Sequence, residues 1–284
     1  SLPEFKNGFV EIPVSIPDDE ALVDRLGITD KNKIGAIWIE ILEKTYERGE
    51  IFTLQLHPER IFLCDRALEI VLLRARQKSP SVWIAQLGEI ANWWKEKGKL
   101  KAKVQQESKN EYQINLSCTN RATILIKNLD IQTNKINLSR GVRKLLHRDQ
   151  INEIDQIDQI NKINENTWYG SYRVINQKNF RVKCNYRPVI GLTPDSSPEL
   201  ISFLRQDGYI VEVSDRKSDY GIYLDGMNEF SPDKKLKTIN RIENTDASLV
   251  RFWRWPNKAR CALSVTGDID AISIWDFILR LFGR

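Results

Sequence analysis

Two carboxylates one residue apart, Asp268 and Asp270, close the run Ala262-Leu-Ser-Val-Thr-Gly-Asp-Ile-Asp270. An apolar strand running straight into them puts both at its C-terminal end. Parallel α/β architectures collect catalytic and metal-binding groups there, because the strands hold the backbone rigid while the loops beyond face solvent. Ile51-Phe-Thr-Leu-Gln-Leu56 ends in the same way: it delivers His57, one of only two histidines, followed by Pro58-Glu59-Arg60. Two acids and an imidazole at strand exits suit an acid/base pair or a hard-to-borderline metal ion. Each group also has a plainer reading. A single histidine at a strand end fits a hydrogen-bonded structural group, Asp268 and Asp270 fit the N-terminus of a helix over 272–281, and Glu59 with Arg60 fits a supporting ion pair.

The elements that must hold these groups follow from apolar periodicity. Phe9 to Ile16 alternates and is rich in β-formers, with Pro13 and Pro17 confining it to an edge; Asp18 and Asp19 follow on a loop, where adjacent acids also fit an ordinary turn. Residues 33–48 space their apolar side chains by three and four, and Gly49 closes that helix. The strand into His57 comes next, then a helical pattern from Cys64 to Arg76, then a short strand and a helix between Ser79 and Trp94. Helix, strand, helix, strand, helix is the grammar of an α/β barrel or layered sheet.

From about Lys99 the period changes. Tyr112-Gln-Ile-Asn-Leu and Ala122-Thr-Ile-Leu-Ile read as short strands of a small antiparallel domain, with its boundary near Gly98. Residues 151–165 repeat isoleucine every third position among Asn and Asp, a period that drifts off a helix, so 150–166 reads as a low-complexity surface insertion. Pro188 to Leu192, a helix started by Ser197-Pro198-Glu199 and ended at Gly208, and Tyr209 to Val213 form a β-α-β unit within 187–224. The expected division is 1–98, 99–250 and 251–284.

Composition sets wider bounds. With 284 residues and 41% hydrophobic side chains the chain can bury a sizeable core. A net charge of +5 spread without an Arg/Lys block gives nucleic-acid binding little support. No run of about 18 apolar residues is present for a membrane span. Cys64, Cys118, Cys184 and Cys261 are widely spaced with no Cys-x-x-Cys pair, which argues against a structural zinc site and for free thiols. With no charged-then-apolar leader in view, that favours a cytoplasmic location. Of the eight tryptophans, Trp38, Trp83, Trp93 and Trp94 lie in apolar patterns and default to core, whereas Trp253, Trp255 and Trp275 flank the acidic motif and are candidates for a pocket wall.

Arg254-Trp-Pro-Asn257 followed by Ala262 to Asp270 resembles the opening strand of the nodulation-type polysaccharide deacetylases, carbohydrate esterase family 4. Leu54-Gln-Leu-His57-Pro-Glu-Arg60 is similar to a late motif of the same family, and Val10 to Asp19 to the strand and loop before it. The resemblance implies Asp268 as general base, Asp270 as ligand of a divalent metal, zinc, and His57 as the acid beside the reacting acetyl group. Asp18, Asp19, Glu59, Arg60 and Trp255 are then expected around an acetylated polysaccharide. Two features depart from the family. No histidine pair four residues apart is present, and the motif order is inverted, so the expected fold is a partial or circularly permuted deacetylase-type (β/α) barrel with an additional β-rich domain. The function implied is a metal-dependent hydrolase removing N- or O-acetyl groups. Two other readings stand beside it: a non-catalytic glycan-binding or scaffolding module, and an accessory protein of cell-surface polysaccharide synthesis.

Overall fold

The structure, a computed structural model, describes residues 1–132 and 167–268. The chain divides into two compact units, Ser1–Lys99 with Arg254–Arg284, and Leu100–Trp253. These divisions fall one and three residues beyond the boundaries read from the sequence. The insertion at 150–166, His147, Asp270, Trp275 and the helix expected over 272–281 lie outside the described residues.

The first unit begins with a hairpin of β1 (Glu4–Lys6) and β2 (Phe9–Glu11), turned at Asn7 and Gly8, both with positive φ. The strand expected to reach Ile16 is cut short, as Pro13 cannot donate to a ladder. A π-helical turn (Ala21–Arg25) leads to α1 (Lys31–Arg48), β3 (Ile51–Leu56), a 3₁₀ turn (Pro58–Arg60) and α2 (Ile61–Arg76). Then come β4 (Val82–Ile84) and α3 (Leu87–Lys97). The Asp30 side chain accepts from the Asn32 and Lys33 amides at 2.8 and 3.2 Å to start α1, and Gly49 at φ 63° ends it. Ile34, Trp38 and Leu42 of α1 and Cys64, Ala67, Val71 and Ala75 of α2 sit at helical spacing, are buried, and share one core with Phe52, Leu54 and Leu56.

The last described strand, which follows the second unit in the chain and is numbered β16 (Cys261–Gly267), enters this first sheet between β3 and β4, parallel to both. Its approach is fixed by the carbonyls that α1 leaves unsatisfied at its C-terminus. Arg254 Nη1 donates to Arg48 O at 2.6 Å, Trp255 Nε1 to Gly49 O at 2.8 Å, and Arg260 Nη2 to Glu47 O at 2.8 Å. The resulting sheet is open, with order β3-β16-β4, and among the described residues no sheet closes into a barrel.

The second unit is mostly antiparallel. β5 (Lys101–Ser108), β6 (Glu111–Ser117), β8 (Ile131–Gln132) and β11 (Asn179–Lys183) form one sheet in the order β5-β6-β11-β8. A second contains β7 (Ile124–Lys127), β9 (Thr167–Tyr169), β10 (Tyr172–Ile175) and β15 (Leu249–Phe252), in the order β15-β7-β10-β9. Alternate residues of both sheets, among them Tyr112, Ile114, Ile126, Phe180, Val182 and Val250, meet in one core. The β-α-β unit is β12 (Arg187–Leu192), α4 (Pro198–Asp207) and β13 (Val211–Val213), and β14 (Tyr220–Leu224) makes the third strand of a parallel sheet ordered β13-β12-β14. Helix α5 (Lys234–Glu243) precedes β15.

Candidate functional site

The parallel pairing of β3 with β16 sets the geometry. Ser264 lies opposite Thr53, Thr266 opposite Gln55 and Gly267 opposite Leu56, so His57 and Asp268 each follow directly on the last paired residues of neighbouring strands. The Asp268 amide still donates to Leu56 O at 2.9 Å, which carries the ladder one step past the strand. Side chains at alternate positions share a face. One face is the apolar core just described, and the other carries Thr53, Gln55 and His57 beside Ser264, Thr266 and Asp268. Parallel strands covered on both sides read as unbroken apolar runs, so a polar stripe leading to a strand exit sets this pair apart. At its foot the hydroxyls of Thr53 and Ser264 are buried with no hydrogen-bond partner among the described residues. At its head Asp268 is exposed and accepts from Gln55 Nε2 at 3.0 Å.

The loop between β2 and the π-helical turn brings a further acid to this exit. Ser15 exchanges two hydrogen bonds with the Thr53 backbone, at 2.9 and 3.1 Å, and Trp38 Nε1 donates to Pro17 O at 3.1 Å, which pins the chain on either side of Ile16. Asp18 and Asp19 then diverge. The Asp18 carboxylate accepts from the Ala21 amide at 2.8 Å and starts the π-helical turn. Asp19 turns inward and is wholly buried. Its Oδ1 lies 2.6 Å from His57 Nδ1 and accepts from the Glu20 amide at 2.8 Å, while Oδ2 accepts from the His57 backbone N–H at 2.7 Å. A bond from the ring to a carboxylate oxygen that accepts calls for the Nδ1–H tautomer of His57, which makes Nε2 the other ring nitrogen. The His57 side chain is 3% exposed.

Several residues expected around a substrate have other work. Asp18 caps a turn and Asp19 orients His57. Arg60 binds Asp24 Oδ2 through Nε and Nη2, at 3.1 and 2.5 Å, and Glu59 at 3.3 Å. Asp24 holds the Arg60 pKa above its ordinary value, and the guanidinium ties the 3₁₀ turn after His57 to the π-helical turn after Asp19. Trp255 is wholly buried, its ring 5.5 Å from that of Trp94 and 6.3 Å from that of Trp83, so it packs as core and offers no wall to a pocket. Trp253 is equally buried. Burial, with the negative charge of Asp19 nearby, pushes the Cys64 thiol up to about 12. All four cysteines are free.

Two polar features escaped the sequence reading. Gln55 was visible only as an alternate polar position in a strand, and its bond to Asp268 depends on a register that the sequence does not give. The other is a buried cluster in the second unit. Arg251 Nη1 donates to Glu243 Oε1 at 2.8 Å and Nη2 to Asp207 O at 2.7 Å, while the guanidinium lies 3.8 Å from the Tyr209 ring centroid. Burial works against this charge, but the surrounding groups, Tyr209 and Asp207 ahead of Tyr172 and Glu243, outweigh it and hold the Arg251 pKa above that of an ordinary arginine. The only local signal was a charged residue inside the apolar run Leu249 to Trp253.

Among the described residues no three His, Cys, Asp or Glu side chains are grouped so as to hold a metal ion. Among them too, no helix is long and apolar enough to cross a membrane. No protein-family model, curated protein or solved structure matches the chain.

Proposed function

We propose that this chain is a hydrolase that removes acetyl groups from an N- or O-acetylated polysaccharide, built on a partial or permuted deacetylase-type barrel. The observation that carries the reading is the emergence of His57 and Asp268 from adjacent parallel strands, with buried Asp19 bound to the imidazole. In this reading Asp268, exposed at the mouth, takes the proton of a water whose oxygen bonds to the acetyl carbon. As the C–N or C–O bond to the sugar breaks, protonated His57 delivers its Nε2 proton to the departing amine or alkoxide, and acetate leaves. Asp19 steadies the imidazolium, as a buried acid does behind a histidine that shuttles protons. The divalent ion that the resemblance implies, zinc, would be held through Asp270. The steps above are those of the chain's own side chains, and a bound ion would add polarisation of the acetyl carbonyl.

The test is acetate release from acetylated xylan and from an N-acetylated chitin oligosaccharide, with added zinc. The expected result is turnover in the wild-type chain, lost in Asp268→Asn and Asp270→Ala while both stay folded. Turnover retained in either variant defeats the assigned role.

A second reading, a non-catalytic glycan-binding or scaffolding module, is favoured by one observation, the 3% exposure of the His57 side chain. An imidazole so enclosed serves well as a structural tie between the Asp19 loop and β3. Binding of either glycan without acetate release would select this reading.

A further inference from the structure

We infer that Gln55 is a positioning residue for Asp268, setting which carboxylate oxygen is turned toward the sheet and which toward a bound water. The inference rests on the reading of Asp268 as the base. Asp268 sits one step beyond the paired strand, where its backbone is already held by the amide bond to Leu56 O at 2.9 Å. What remains loose is the side chain, which is exposed. Gln55 Nε2 reaches it from the neighbouring strand, donating to Oδ2 at 3.0 Å. Gln55 is itself well placed for this, because it belongs to β3, lies opposite Thr266 in register and is half-buried on the polar face.

The chemistry of the donor fits the task. A hydrogen bond to a carboxylate is stronger than one between neutral groups, enough to fix the carboxylate plane. A primary amide supplies it without placing a positive charge against a group that must accept a proton. With Oδ2 held to the sheet, Oδ1 is the oxygen left to face the mouth. Side chains that orient reactive carboxylates in this way change rates without touching substrate. A plain cross-strand tie makes a different demand, for it needs only that the position be filled.

The experiment compares Gln55→Met, Gln55→Lys and Asp268→Asn with the wild type on the same two acetylated glycans, with unfolding midpoints to show that each is folded. Gln55→Met keeps length and volume but no donor, and is expected to lower kcat about 10–100-fold with KM within about threefold. Gln55→Lys restores a donor but sets a positive charge against the base, so it is expected to return the Asp268 carboxylate to its wild-type rotamer without recovering kcat. A crystal structure of Gln55→Met is expected to show the Asp268 carboxylate turned from its wild-type rotamer. Unchanged kcat or an unmoved rotamer in Gln55→Met overturns the inference, as does a carboxylate that stays turned away in a crystal structure of Gln55→Lys. If Asp268→Asn abolishes turnover while Gln55→Met does not, only the role of Gln55 falls. If Asp268→Asn turns over normally, or the wild type does not turn over at all, Gln55 and the base assignment fall together.

Discussion

Two buried charged clusters among the described residues are built to opposite ends. Around Arg251 the partners close on themselves. The guanidinium takes the Asp207 carbonyl at the last residue of α4 and the Glu243 carboxylate at the last residue of α5, and aromatic faces cover it. Tyr172 adds a hydrogen bond to the same Glu243 oxygen at 3.2 Å, and Lys127 holds the Glu243 carbonyl at 2.8 Å. Every one of these contacts ends a helix or fills a core. The Asp19–His57 pair is as deeply buried, yet it stands at a strand exit whose neighbouring strand presents an exposed carboxylate, Asp268. Buried charge alone therefore does not mark a site. What sets the second pair apart is its place beside a solvent-facing acid at the open end of parallel strands.

Four measurements would break or sharpen this contrast. The largest effect is expected from Arg251→Met, which leaves Asp207 and Glu243 facing an apolar side chain and should cost about 3–5 kcal/mol in urea unfolding; a loss under about 1 kcal/mol would mean that the cluster is not the closed structural knot described. Asp19→Asn keeps the shape of the other pair and should cost less, about 1.5–3 kcal/mol, while abolishing turnover. Full turnover with normal stability would put Asp19 and His57 on the structural side of the comparison.

The third measurement uses pH. Burial pushes Cys261, like Cys64, up to about 12 from the ordinary 9.0, whereas the unfolded thiols ionise near the ordinary value. The raised folded values contribute stability that is whole below pH 9 and is lost as pH rises from 9 toward 12. Urea unfolding between pH 8 and pH 10.5 should therefore show stability falling with pH, and Cys261→Ala should show a shallower fall; identical slopes would refute the link. The smallest effect is expected from Thr53→Val with Ser264→Ala. Exchanging the Thr53 hydroxyl for a methyl group and removing that of Ser264, both buried without a hydrogen-bond partner among the described residues, should leave stability within about 1 kcal/mol of the wild type, and a large loss would show that these hydroxyls hold something in place.

The elements were easier to read than the side chains that do work within them. Helices α1, α2 and α4 announced themselves through apolar spacing, and α1 and α4 also through Gly49, Ser197 and Gly208 at their ends, because caps and periodicity are local. The strand exits at His57 and at Asp268 were legible for the same reason. What no local pattern carries is direction. Asp18 and Asp19 are chemically alike and adjacent, and it is the tertiary pinning of Ser15 to Thr53 and of Pro17 to Trp38 that precedes the turn of the second into the core. Trp255 beside an acidic motif suited a pocket wall, yet its indole is consumed by a carbonyl at the end of α1. Arg251, Asp207, Tyr209 and Glu243 meet only through tertiary folding, so their association left no spacing in the sequence. The barrel expected from the resemblance remains a proposal, since the sheet that holds the exits is open and three-stranded among the described residues.

The place of β16 between β3 and β4 has a consequence for how the chain is made. The middle strand of that sheet is the last to leave the ribosome, after Leu56 by 205 positions, from 56 to 261. At ordinary rates of synthesis that is a wait of roughly 10–40 s. Throughout it, β3 and β4 have no strand between them, and Phe52 and Leu54 lack the neighbours that β16 supplies. The second unit, whose strands among the described residues pair with one another, is complete in sequence before then. Nascent chains stalled before Cys261 should bind chaperones through the first unit, and release should follow once Asp268 has cleared the ribosome.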